Sequence, residues 1–146
     1  MLEINNTTKQ KINLAKTKKI VDSWLKANKK SSYTVSLALV GAKKIKRLNS
    51  DYRGIDKATD ILSFVGDSLG GNEPGEKYLG EIIINLDETK KANKYLEVFK
   101  VKKSVDYIFY FLLIHGLLHL IGYEDDKDSD RLKMLKLGGD FLKKML

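Results

Sequence analysis

The 146-residue chain sets 27 Lys and Arg against 19 Asp and Glu, for a net charge of +8, and is 42% hydrophobic and 32% charged. That length suits one domain with a core of its own, and the balance excludes a disordered chain or a multi-span membrane protein. With no Cys, disulfides and thiolate metal sites are excluded, so any metal must be held by His, carboxylate or water, as suits a reducing cytoplasm.

The N-terminus is polar almost from its first residues and holds no apolar run of the kind a secretory leader needs. After a short N-terminal strand, Leu14, Val21, Trp24, Leu25 and Asn28 recur at helical spacing with lysines opposite, which predicts an amphipathic helix over 10–28. Tyr33, Val35, Leu37 and Leu39 alternate with Thr34, Ser36 and Ala38, which predicts a strand over 33–40, followed by a second helix near Ala42–Asn49. Two more β-prone runs, TDILSFV at 59–65 and LGEIIINL at 79–86, flank GDSLGGNEPGEKY, a Gly-rich loop that holds the one Pro and is a candidate lid. Asp87 is placed to cap a third helix over 88–98, and residues 104–121 predict an apolar helix. Asp128 or Ser129 is placed to cap a last helix with Leu132, Leu135 and Met145 facing inward.

The stretch Tyr107–Tyr123 is at the short end of what spans a bilayer, and two His and a Gly interrupt it. It reads as the buried central helix of a fold without a membrane span. Charge is uneven along the chain: residues 1–57 hold 14 Lys and Arg against 4 Asp and Glu, whereas residues 58–146 hold 13 against 15. A Lys-rich segment is by itself a solvated face, and it bears on nucleic acid only beside an active site.

His115 and His119 are the two histidines of the chain, and a spacing of four puts both imidazoles on one face of a helix, one turn apart. Gly122 is suited to end that helix in a left-handed conformation, and Asp125 follows in a polar turn from which it can return as a third ligand. Its neighbours Glu124 and Asp126 are rivals for that place. The layout H-x3-H-x2-G-x2-D repeats the metzincin spacing, but Gly116 stands where those peptidases carry their general-base Glu, which argues against peptide hydrolysis and not against a metal. Three ligands leave a fourth position for a water whose pKa the metal lowers.

Three segments together resemble the YbeY family: LNSDYRGIDKATDILSF at Leu48–Phe64, LGEIIIN at Leu79–Asn85 and HGLLHLIGYED at His115–Asp125. The resemblance implies an α/β (α+β) domain over 1–146, with a small mixed four-stranded sheet packed with about five helices and a central apolar helix carrying the His pair. It further implies a zinc-dependent, single-strand-specific endoribonuclease of 16S rRNA 3′-end maturation and ribosome quality control, with rRNA and ribosomal or assembly-factor partners. The family's metal site is a His triad, which falls on His115 and His119 and meets Asp125 where the third His would stand. Another divalent metal is therefore an alternative to Zn2+.

Arg53 matches the family's functional arginine and would bind a phosphate, with Arg53 and His115 as the catalytic pair. Asp60, Ser63 and Phe64 also fall on family positions without an assigned role, while Glu81 and Val65 replace the usual Asp and Pro. Tyr52, Phe64 and Tyr123 are candidate stacking partners for bases. A non-catalytic ribosome-assembly factor is the rival reading, and a metalloprotease ranks behind both.

Overall fold

The computed structural model describes residues 1–66 and 77–146. Most of the Gly-rich candidate lid falls outside the described residues. Four strands, β1 (Leu2–Asn6), β2 (Thr34–Val40), β3 (Ile61–Val65) and β4 (Tyr78–Asn85), form one mixed sheet in the order β1-β2-β4-β3. The pairs β1–β2 and β2–β4 are parallel, and β3 closes the edge antiparallel to β4. Helices α1 (Leu14–Ala27), α2 (Ala42–Arg53), α3 (Leu86–Thr89), α4 (Leu96–Phe99), α5 (Val105–Leu120) and α6 (Asp128–Met145) surround it, with a 3-10 turn at Ala92–Tyr95. The expected mixed four-stranded sheet and central His-bearing helix are both present.

The alternation read from β2 sets the layers. Val35, Leu37 and Leu39, with Ile82 and Ile84 of β4, face the main core shared with Ile20, Val21, Trp24 and Leu25 of α1 and nearly all of α5. Ala38 and Val40, with Ile83, Leu62 and Phe64, face a smaller core closed by Ile45 and Leu48 of α2. From Ile108 onward α5 is buried on nearly every side, which accounts for its uniform hydrophobicity. Among the described residues no helix is long and apolar enough to cross a membrane.

Several boundaries differ from the sequence reading for physical reasons. Helix α1 begins at Leu14, where the Asn13 side chain accepts a hydrogen bond from the Lys16 N–H, and Leu14 itself is exposed. The single helix expected over 88–98 is broken into α3, the 3-10 turn and α4, the last ended by Lys100 in a left-handed conformation at φ 64°. Asn85, not Asp87, caps α3, accepting from the Asp87 N–H at 3.0 Å. Asp87 instead reaches across the fold, and its Oδ2 accepts from the Ala42 N–H at 2.9 Å, capping α2. In α6 no side chain caps the start. Leu132 is 63% exposed, and the inward stripe runs through Met134, Gly138 and Leu142, with Leu135 and Met145 partly buried beside it.

Candidate metal centre

Ser104 opens α5 by accepting from the Tyr107 N–H, and the helix runs to Leu120. Gly122, at φ 104°, then turns the chain, and the Tyr123 N–H closes on the Leu118 carbonyl. A side chain at Gly122 would be strained there, as the sequence reading expects. The turn has two products. It brings the Tyr123 carbonyl to 2.9 Å from His119 Nδ1, and it returns Asp125 over the face that carries both imidazoles.

The three groups converge. His115 Nε2 and His119 Nε2 lie 3.2 Å apart, and Asp125 Oδ2 is 3.2 Å from the first and 3.4 Å from the second. Donor atoms bound to zinc at about 2.0–2.1 Å in a tetrahedron are separated by roughly 3.3 Å, so the triangle has the edge lengths that one ion requires. Because His119 Nδ1 faces a carbonyl, it must donate, and neutral His119 presents the Nε2 lone pair to the centre. Two imidazole nitrogens and a carboxylate at this range call for a shared proton or a cation, and the group can hold a metal ion.

Exposure rises from floor to rim, from 14% at the His115 side chain through 27% at His119 to 39% at Asp125. Burial, and then the neighbouring His119, push the His115 pKa below the ordinary imidazole value against the pull of Asp125. His115 Nδ1 is buried and finds no hydrogen-bond partner among the described residues, while Phe111 stacks near the ring at a centroid distance of 6.0 Å.

Gly116 is explained by packing. A Cβ at this position would lie 2.9 Å from both Ile61 Cδ1 and Ile82 Cγ2, so any side chain here would force those neighbours to shift. A glutamate there would point into the sheet and not toward the centre. The peptidase reading therefore lacks its base for a geometric reason as well as a chemical one.

The centre opens into a cleft of about 1200 Å3, lined among others by Arg53, Asp60, Ser63, Tyr95, Tyr123 and Arg131. Arg53 is the last residue of α2, where Gly54 at φ 70° turns the chain, and its side chain is exposed on the cleft wall. Ser63 lines the same cleft from β3. Phe64 points to the opposite face, where it meets Tyr52 edge-on at 5.4 Å in a separate hollow of about 230 Å3 that also holds Glu81. Of the three expected stacking residues, Tyr123 is the one that lines the cleft. Burial raises the pKa of Glu81 on the far side of the sheet.

Sequence reasoning did not foresee a role for Tyr95, whose hydroxyl donates to Asp60 Oδ2 at 3.0 Å across the cleft wall. The two residues lie 35 apart in the chain, and no periodic pattern links them.

A family model described as Endoribonuclease YbeY matches residues 3–146 of the chain. Relatives of that name include one from Alkaliphilus metalliredigens, 34% identical over 130 residues and covering 87% of this chain and 80% of the relative. One from Nautilia profundicola is 32% identical over 133 residues, covering 91% and 84%, and one from Limosilactobacillus reuteri is 36% identical over 118 residues, covering 74% and 71%. The solution structure of TM1509 from Thermotoga maritima is similar with a TM-score of 0.65, covering 99% of this chain and 89% of that one at 24% identity, which shows a shared fold.

Proposed function

The chain belongs to the YbeY family of endoribonucleases, and on that premise we propose that it is a metal-dependent hydrolase of single-stranded RNA, acting in 16S rRNA 3′-end maturation and ribosome quality control in the cytoplasm. The observation that carries the metal dependence is the triangle of His115, His119 and Asp125 at tetrahedral edge lengths on the floor of the large cleft. These three residues hold one Zn2+, which when bound supplies Lewis-acid charge and lowers the pKa of a water toward neutrality. The hard Asp125 oxygen leaves the site more tolerant of manganese or magnesium than a His triad.

The protein's own groups do the rest. The Tyr123 carbonyl fixes the His119 tautomer, and His115 sits at the buried end of the site beside the reacting centre. Arg53, which lines the same cleft, binds the scissile phosphate through two parallel hydrogen bonds and stabilises charge that develops there. The substrate is a single strand, and the partners are rRNA within a ribosomal subunit or assembly intermediate.

The test is cleavage of a single-stranded RNA by freshly purified protein, with metal analysis, with and without chelator. We expect about one divalent ion per chain, turnover abolished by chelation, and both lost in the His115→Ala, His119→Ala double variant. RNA binding without chelator-sensitive cleavage would favour the non-catalytic assembly factor.

A further inference from the structure

With glycine at position 116, α5 carries no carboxylate beside its first histidine, so a general base for the attacking hydroxyl, where one acts, comes from another element. The carboxylates on the described cleft wall are Asp60, Glu97, Glu124 and Asp125. Asp125 faces both imidazoles, and Glu97 and Glu124 are exposed.

Asp60 stands apart by the way it is held. It is half-buried at the entrance to β3, and its carbonyl accepts from the N–H of the buried Asn85 at 2.9 Å. The Asn85 side chain also donates to the preceding Thr59 carbonyl at 3.2 Å. The Asp60 Oδ2 accepts from Tyr95, which is 5% exposed, at 3.0 Å. Burial, and then the Asp60 charge, push the Tyr95 pKa far above its ordinary value, so its hydroxyl remains a donor at any working pH. That bond occupies one carboxylate oxygen of a residue that lines the same cleft as His115, where its negative charge is felt.

We propose that Asp60 is the proton acceptor of the cleavage step and that Tyr95 is its positioning residue, an inference that rests on the nuclease reading above. As the attacking hydroxyl, from water or the ribose 2′ position, bonds to phosphorus, its O–H bond breaks and the proton passes to Asp60 Oδ1. The bond from phosphorus to the leaving sugar oxygen breaks on the opposite side of the phosphorus, that oxygen takes its proton from solvent in the open cleft, and Asp60 then returns its own proton to solvent. Arg53 meets the charge on the non-bridging oxygens. No oxidant or co-reactant is needed.

The experiment compares wild type with Asp60→Asn, Asp60→Ala and Tyr95→Phe for kcat, KM toward a single-stranded RNA, metal content and melting temperature. Asparagine keeps an acceptor for the Tyr95 hydroxyl but takes no proton, so kcat should fall by roughly 10²–10⁴, with KM and metal content unchanged. Added formate should restore part of the activity of Asp60→Ala, which a structural role would not produce. Tyr95→Phe should lower kcat alone and should have no further effect in the Asp60→Asn background. Full activity of Asp60→Asn, or an Asp60→Ala variant that formate does not rescue, overturns the inference while leaving the nuclease reading intact. A wild-type chain that does not cut RNA overturns that reading and the inference with it.

Discussion

Arg53 is exposed at the end of α2 and lines the cleft, so its side chain contributes little to the fold and is free to act on a phosphate. Arg53→Ala should cut RNA turnover by roughly 10²–10³, the scale of losing one preformed charge stabiliser, with melting temperature and metal content unaltered. A fall in melting temperature would make it a structural residue. Asp125 is the residue at which this chain departs from the His triad its family implies. Asp125→His should raise zinc affinity, measured by competition with a chelator, and Asp125→Ala should lower it. An Ala variant with wild-type affinity would assign the third position to another donor. His115 gives the metal-free protein a pH dependence. Its folded pKa is lowered by burial and by His119, so between the unfolded and folded values the unfolded chain binds more protons. The stability of the metal-free protein should therefore be full above the ordinary imidazole value and decline as pH falls below it. Denaturant titrations across that window would show this, and the slope should vanish in His115→Gln.

At the scale of elements, the contact between α5 and the sheet is the tightest joint near the site. Gly116→Ala gains about 1 kcal/mol of helix propensity but forces a methyl against Ile61 and the fully buried Ile82, at a cost of about 1–3 kcal/mol. The net result should be a lower urea midpoint, because the helix must shift against the sheet. A midpoint above wild type would show that Ile61 yields freely. The same element shows what the sequence disclosed and what it withheld. The spacing of His115 and His119, the turn at Gly122 and the alternation in β2 are local, and each was legible because one element's geometry fixes it. The break after Thr89 and the 3-10 turn at Ala92–Tyr95 were not legible, since residues 88–98 have helical composition throughout. Asp87 was read as the cap of its own helix, but that place belongs to the buried Asn85, and Asp87 serves a partner 45 residues away. The pairing of Tyr95 with Asp60 is tertiary in the same sense.

For the molecule as a whole, the strong positive charge and the cleft are largely separate. Among the described residues, Arg53 is the cation of residues 1–57 that lines the cleft, joined there by Lys100 and Arg131, while four carboxylates share the wall. The basic first third is therefore expected to attract RNA at a distance more than to touch it. If those three cations make the phosphate contacts, log affinity for single-stranded RNA should fall against log salt with a slope of about −2. Replacing Lys16, Lys18 and Lys19 by Gln should slow association without changing kcat. A slope several times steeper would place RNA along the lysine-rich helix itself.

The donor atoms of His115 and Asp125 lie only ten positions apart in the chain, on one helix and the turn that follows it. Closing so short a segment costs little chain entropy, whereas bringing Arg53 to the same cleft requires the sheet and two crossovers to be in place. On the proposed function, ion capture would thus be a local property of this chain and cutting a global one. A variant whose sheet has loosened should still titrate zinc after it has stopped turning over RNA, so metal content alone is a poor measure of native structure here.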